Sequence, residues 1–173
     1  MTVTIEAIRP EHIEGYHRVE DIIMRERRYL SNFDAGPVSD YHDFVPRQIA
    51  KSVPRFVALS DAEVVGWCQI VPSSYAAHRH TGGVDMGLLP DFRGQGIGRK
   101  LLDRTMAAAR KLGLTRIDLA VFSGNAPAMA LYKQCGFQLE GCLRDAVLID
   151  GEYRDILLMG VIYHQNDQRL VRP

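Results

Sequence analysis

Hydrophobic and polar positions repeat with two periods along this chain, and the switches between them mark its elements. VTIEAI, residues 3 to 8, alternates and predicts a strand. After Pro10, apolar residues recur at Ile13, Tyr16, Val19 and Ile23, the spacing of one helix face. That stretch runs into RERRYLSNFDAGP, where Gly36-Pro37 ends it. A second, less regular helix is predicted over 39–51, with Pro46 as a break or kink. RFVALSDAEVVGWCQIV reads as two strands around the turn SDAE. The loop PSSYAAHRHTGG then leads to a strand, VDMGLL. Next comes a glycine-rich stretch and a helix to about Leu112, with Gly113 at its C′ position. This helix carries Leu101, Thr105, Ala108 and Leu112 on one stripe, with Arg99, Arg104 and Arg110 elsewhere. TRIDLAVF alternates as a strand, and APAMALYKQCG reads as a short helix with Asn125 as N-cap and Pro127 in its first turn. CLRDAVLI-DG-EYRDILLM closes the pattern as two strands joined by Asp-Gly, a strong hairpin signal.

The resulting order is β-α-α-β-β-β-α-β-α-β-β, an α/β (α+β) arrangement with a mixed sheet whose first half is antiparallel. The chain has 173 residues, enough for one domain with a core that needs no staples. We read residues 1–163 as that domain and 164–173 as a polar C-terminal tail. Hydrophobic residues make up 46% and charged residues 24%, as in globular proteins. The 21 basic and 21 acidic residues cancel, which argues against a general polyanion binder, so no nucleic-acid partner is expected. Cys68, Cys135 and Cys142 are odd in number and lack CxxC spacing. A disulfide framework and a cysteine zinc site are therefore not expected, and a reducing cytoplasm is the natural compartment. The first residues show no apolar signal core, and no 18-residue apolar run occurs, so no membrane partner is expected.

The glycine stretch needs a chemical reason. LPDFRGQGIGRKLL places Gly94, Gly96 and Gly98 at the mouth of a helix. Each glycine disfavours the helix by roughly 1 kcal/mol against alanine. A loop of this kind exposes backbone N–H groups at the positive end of the helix dipole, an arrangement suited to a phosphate. Arg93, Arg99 and Lys100 can add charge. The P-loop would need a Gly-Lys-Ser/Thr ending, and the dinucleotide fingerprint would need GxGxxG; neither is present. The plainer alternative is a tight strand-to-helix turn.

Arg93-Gly94-Gln95-Gly96-Ile97-Gly98 resembles the Arg/Gln-x-x-Gly-x-Gly/Ala loop of the GNAT superfamily of N-acetyltransferases. NAPAMALYKQCGF, residues 125 to 137, resembles that family's second signature, with Asn125, Ala128, Leu131, Tyr132, Gly136 and Phe137 in place. The element order over about residues 3 to 162 agrees, and the closing hairpin resembles bacterial members that acetylate amino acids, polyamines or protein N-termini. The resemblance implies a mostly antiparallel GNAT-like sheet flanked by helices. It also implies acetyl-CoA as cosubstrate, no metal, and direct attack by an amine on the thioester. Cofactor binding is implied for the main chain of Met86, Gly87, Leu88 and Leu89, with a backbone N–H near Leu88 polarising the thioester carbonyl. It is likewise implied for the loop Arg93, Gly94, Gln95, Gly96, Ile97, Gly98 and Arg99, and for Asn125 and Tyr132. Tyr132 is implied as proton donor to the leaving thiolate.

The proton acceptor departs from the family pattern. The positions where relatives carry glutamate fall on Gly83 and Ala120. Asp85 shares the strand face of Gly83 and stands as the replacement base, or as an orienting or structural aspartate. His78 and His80 form an HxH without a third ligand and read as a solvated loop. Cys135 reads as a structural cysteine. RERR, 25 to 28, either lines the acceptor entrance and favours an acidic substrate or is a solvated helix face. The acceptor pocket is expected from residues 24 to 40, the 72–80 loop and the last hairpin. Two rival functions are a non-catalytic acyl-CoA-binding sensor on the same fold and a nucleotide-binding switch. Oligomeric state is open, with a homodimer as the assembly to test.

Overall fold

The computed structural model describes residues 2–163. The polar tail expected at 164–173 lies outside the described residues. The elements follow the expected order: β1 (Val3–Ala7), α1 (Ile13–Arg25), α2 (Val38–Ala50), β2 (Arg55–Ser60), β3 (Glu63–Pro72), β4 (Thr81–Leu88), α3 (Ile97–Lys111), β5 (Arg116–Phe122), α4 (Ala126–Gln134), β6 (Gln138–Ile149) and β7 (Glu152–Ile162). The strands form one seven-stranded sheet in the order β1-β2-β3-β4-β5-β7-β6. Every pairing is antiparallel except β4 with β5, which run parallel.

Two cores cover the two faces. On one face α3 and α4 bury Leu101, Leu102, Met106, Ile117 and Phe137. On the other, α1 and α2 bury Ile13, Tyr16, Val19, Ile23 and Val45 against Val57 and Trp67. The α1 stripe read from the sequence is thus the buried one, and Leu89 packs against both cores. The central β3 is buried on both faces, so it reads as a continuous apolar run instead of an alternation.

Four expectations are corrected. First, α1 stops at Arg25, well before Gly36-Pro37. Arg27 takes φ +53°, and its side chain pairs with Asp150 on the β6–β7 turn at 2.5 Å. The chain therefore turns away to meet the hairpin. Second, α2 runs through Pro46 without a break. The bond that Pro46 cannot donate would go to the carbonyl of His42, on the exposed face where water can serve it. Third, β4 begins at Thr81, so Gly82 and Gly83 belong to the strand. A Cβ on Gly82 would sit 2.7 Å from Ile70 and 2.8 Å from Leu114, so the glycine there permits close packing. Fourth, the α3 stripe is rotated: Leu101, Leu102, Thr105, Met106 and Ala109 are buried, while Leu112 is 48% exposed.

Candidate functional site

β4 and β5 pair at only three positions, Thr81–Gly83 against Arg116–Asp118. β4 continues to Leu88 along β3, and β5 continues to Phe122 along β7. The two central strands therefore splay apart over their C-terminal halves. The Leu89 N–H donates to Val65 on β3. Peptide groups alternate along a strand, so those of Leu88 and Met86 point the other way, into the splay. The Leu88 carbonyl is met there by the Arg93 Nε at 2.9 Å.

The splay opens onto a cleft of about 690 Å³ walled by Met86, Gly87 and Leu88 of β4, the glycine loop, and Asn125, Leu131 and Tyr132 of the α4 segment. Gly94 and Gly96 take φ +72° and +77°. Side chains rarely adopt that conformation, so these two glycines are required by the turn itself. A Cβ on either would meet nothing within 4 Å, so the space beside both α-carbons is open. Gly96 is the N-cap of α3 and provides no side-chain cap. Asn125, by contrast, caps α4 with its Oδ1, accepting from the Ala128 N–H at 3.3 Å. The first N–H groups of α3 thus open into the cleft at the positive end of a 15-residue helix. Turn geometry and anion geometry coincide at Gly94 and Gly96. Gly98 has a different reason: its Cβ would crowd Leu88 at 3.3 Å and Leu131 at 3.4 Å.

Most sequence-derived cofactor residues meet here: Met86, Gly87, Leu88, Arg93, Gly94, Gly96, Gly98, Arg99, Asn125 and Tyr132 line the cleft. Leu89, Gln95 and Ile97 are outside its lining. Ile97 is buried in the core, and the Gln95 amide turns back to the Asp91 carbonyl at 2.6 Å. The arginines are already engaged. Arg93 holds Glu26 through two bonds of 2.9 and 2.5 Å, and Arg99 donates to Asp103 at 2.7 Å. The sequence reading missed Tyr29, which reaches the cleft from the segment after α1 and lies 5.1 Å from the Arg93 guanidinium. No motif surrounds it.

Tyr132 is 8% exposed, and its hydroxyl makes no hydrogen bond among the described residues. Burial pushes its phenol well above the ordinary value, with smaller contributions from Cys68, Asp85 and Cys135. The proton stays on the oxygen at physiological pH, which suits a donor and excludes a base.

Asp85 lies on the opposite sheet face. It borders a second, smaller hollow of about 390 Å³ with Tyr16, Glu20, Tyr41, Phe44 and Gln69. Gln69 donates to it at 3.0 Å. Burial raises the Asp85 carboxyl, while Gln69 and Arg55 pull it down. Glu20 was not singled out by sequence. It is 6% exposed and accepts from Tyr16 at 2.7 Å and from Tyr41. Burial raises its carboxyl too, and the two phenols oppose that. A polar residue next to Val19 on the buried stripe of α1 was the available signal.

Met24, Asn32 and Asp40 bring the expected 24–40 segment to this hollow. The 72–80 loop goes elsewhere: His78 and His80 line a separate hollow with Arg116, Asp118 and Glu140, at the opposite end of β4. The RERR arginines are committed as well, Arg25 to Asp21 at 2.6 Å and Arg27 to Asp150, with Arg28 over the Tyr29 ring. Cys135 is partly exposed, and all three cysteines are free thiols. Among the described residues, no helix is long and apolar enough to cross a membrane.

Residues 16–137 match the model of the acetyltransferase (GNAT) family. The L-amino acid N-acetyltransferase AaaT of Escherichia coli is 29% identical over 156 residues, 88% of this chain and 94% of that protein. The spermidine N(1)-acetyltransferase of Vibrio cholerae is 29% identical over 166 residues, 92% of each. Among solved structures, a GNAT superfamily phosphinothricin acetyltransferase from Sinorhizobium meliloti in complex with AcCoA superposes with a TM-score of 0.89 at 18% identity, covering 100% of this chain and 94% of that one. That likeness is one of fold.

Proposed function

The chain belongs to the acetyltransferase (GNAT) family, and we propose that it moves the acetyl group of acetyl-CoA to a primary amine, of a small molecule or a peptide N-terminus, by direct attack. The observation that carries this reading is the splay of β4 from β5, ending at the uncapped N-terminus of α3 with Tyr132 across the cleft. The open space beside Gly94 and Gly96 and the first turn of α3 suit a pyrophosphate. In this reading the main chain of Met86 to Leu89 receives the pantetheine arm, and the Leu88 N–H polarises the thioester carbonyl. Arg93 and Gln95 hold the loop in shape, Ile97 anchors it to the core, and Arg99 and Asn125 border the cofactor.

Tyr132 donates to the departing sulfur. Its raised pKa makes outright proton transfer harder, but a thiolate leaving into the same dry cleft becomes more basic as well. Asp85, across the sheet, takes or relays the proton of the amine. Burial makes it a stronger base than an ordinary aspartate. With three free thiols, the activity belongs in a reducing compartment, the cytoplasm.

The test is thiol release from acetyl-CoA over a panel of amino acids, polyamines, aminoglycosides and N-terminal peptides, with Tyr132→Phe beside the parent. Tyr132→Phe keeps the ring and deletes the donor. Single-turnover transfer is expected to fall by ~10²–10⁴-fold with acetyl-CoA affinity nearly intact. CoA binding without thiol release from any acceptor would identify an acyl-CoA-binding sensor instead.

A further inference from the structure

The hollow on the α1–α2 face of the sheet has an unbalanced charge. Its walls include Glu20, Asp40 and Asp85 and, among the described residues, no Lys, Arg or His. Behind the hollow lies Arg55, 2% exposed, 4.8 Å from the Phe44 ring and 5.3 Å from the Tyr16 ring. Its Nη2 donates to Gln69, and Gln69 donates to Asp85. Arg55 is therefore tied to Asp85 through Gln69, and its charge acts on both Asp85 and Glu20, one buried cation for two buried carboxylates. Glu20 has two phenols and, among the described residues, no ion pair. One buried cation does not balance these carboxylates, and an ammonium entering the hollow would make up the deficit. The rings of Tyr16, Tyr41 and Phe44 line the same space, and aromatic rings attract cations, as Arg55 over Tyr16 and Phe44 shows.

Resting on the acetyltransferase reading, we propose that this hollow is the acceptor site and takes the acceptor as an alkylammonium ion, the end of an aliphatic diamine or polyamine, received by Glu20. An α-amino acid would carry its own carboxylate beside the nitrogen, into a space already lined by three. Arg25 and Arg27 are paired with Asp21 and Asp150. Arg55, whose Nε and Nη1 have no partner among the described residues, is 2% exposed and is not part of the walls, so a carboxylate entering the hollow would not meet it directly.

The experiment is calorimetric titration of 1,4-diaminobutane, with L-alanine and L-glutamate as counter-probes, into the full chain saturated with CoA. The diamine is expected to bind and the amino acids to bind far more weakly. Glu20→Gln is expected to weaken the diamine by about tenfold or more, with CoA affinity unchanged. Asp40→Lys, at an exposed rim position that does not endanger folding, is expected to weaken it severalfold. Amino acids binding as tightly as the diamine, or diamine binding that both variants leave untouched, would overturn the proposal. Thiol release separates the two levels. Turnover of amino acids without diamine binding overturns this site and leaves the acetyltransferase reading. Diamine binding that both variants weaken, without thiol release from any acceptor, supports this site and overturns that reading.

Discussion

Arg93 heads the glycine loop and suits a phosphate by charge, yet its contacts assign it to the protein. Its guanidinium makes a two-pronged pair with Glu26, and its Nε reaches the Leu88 carbonyl at 2.9 Å. The two side chains are 32% and 19% exposed, so neither is freely solvated. Arg93→Ala removes three charge-assisted bonds and leaves Glu26 largely buried without its cation. Bonds of this kind contribute roughly 1.5–3 kcal/mol each when fully desolvated. Discounted for partial exposure and for water entering the gap, the whole change should destabilise by about 2–3 kcal/mol. For a chain of this size that corresponds to a drop in Tm of roughly 5–10 °C. CoA affinity should also fall, because the end of β4 and the loop lose their tie to α1. The salt dependence of the remaining affinity should match the parent's, since no phosphate contact is lost.

The partner substitution decides the case. If Arg93 holds the loop through Glu26, Glu26→Ala should lower both Tm and CoA affinity. The double variant should then lose less than the sum of the singles. A guanidinium reserved for phosphate would behave otherwise, and Glu26→Ala would free it and hold or raise CoA affinity. A thermal melt beside CoA titrations at two ionic strengths reads all of this. An Arg93→Ala variant that melts like the parent while losing CoA affinity and salt dependence would refute the reasoning.

Other expectations follow from the same geometry. Gly96→Val should lower CoA affinity and also Tm by several degrees, because a non-glycine residue at φ +77° is strained by roughly 1–2 kcal/mol; unchanged affinity in the folded variant would sink the anion-cradle argument. Asp85 and Glu20 both have raised carboxyl pKa values, so between the unfolded and folded values the native state holds more protons, and stability falls as pH rises through that window. Asp85→Asn and Glu20→Gln should each flatten that fall and melt higher at neutral pH, and a pH series of melts parallel to the parent's would count against it. Asp85→Asn should also slow transfer at neutral pH more than it weakens CoA binding; a parent-like pH–rate profile would remove Asp85 from the proton path.

The cofactor half of the site was legible because it is written in backbone requirements. Gly94 and Gly96 sit where no side chain is comfortable, and Asn125 caps the helix that carries Tyr132. Such needs leave short, fixed spacings. Legibility failed where packing, not conformation, sets the residue. Gly82 and Gly83 looked like loop because glycine is rare in strands, yet Gly82 is in β4 to let Ile70 and Leu114 close over it. The Leu112 stripe was misjudged because one helix period fits two neighbouring stripes, and only the sheet chooses between them.

The second hollow had no signature to read. Tyr16 and Glu20 come from α1, Tyr41 and Phe44 from α2, Gln69 from β3 and Asp85 from β4, and they meet only when two helices close over one sheet face. The resemblance pointed to acids at Gly83 and Ala120, on the strands. A Cβ on Gly83 meets nothing within 4 Å, so sterics alone do not explain why that position lacks a side chain. The buried carboxylates of the hollow come instead from Asp85, two residues along the same strand face, and from Glu20 on the helix above. A carboxylate can reach one point in space from either element, so the chemistry of the acceptor side constrains a position in three dimensions and leaves the position in the chain free.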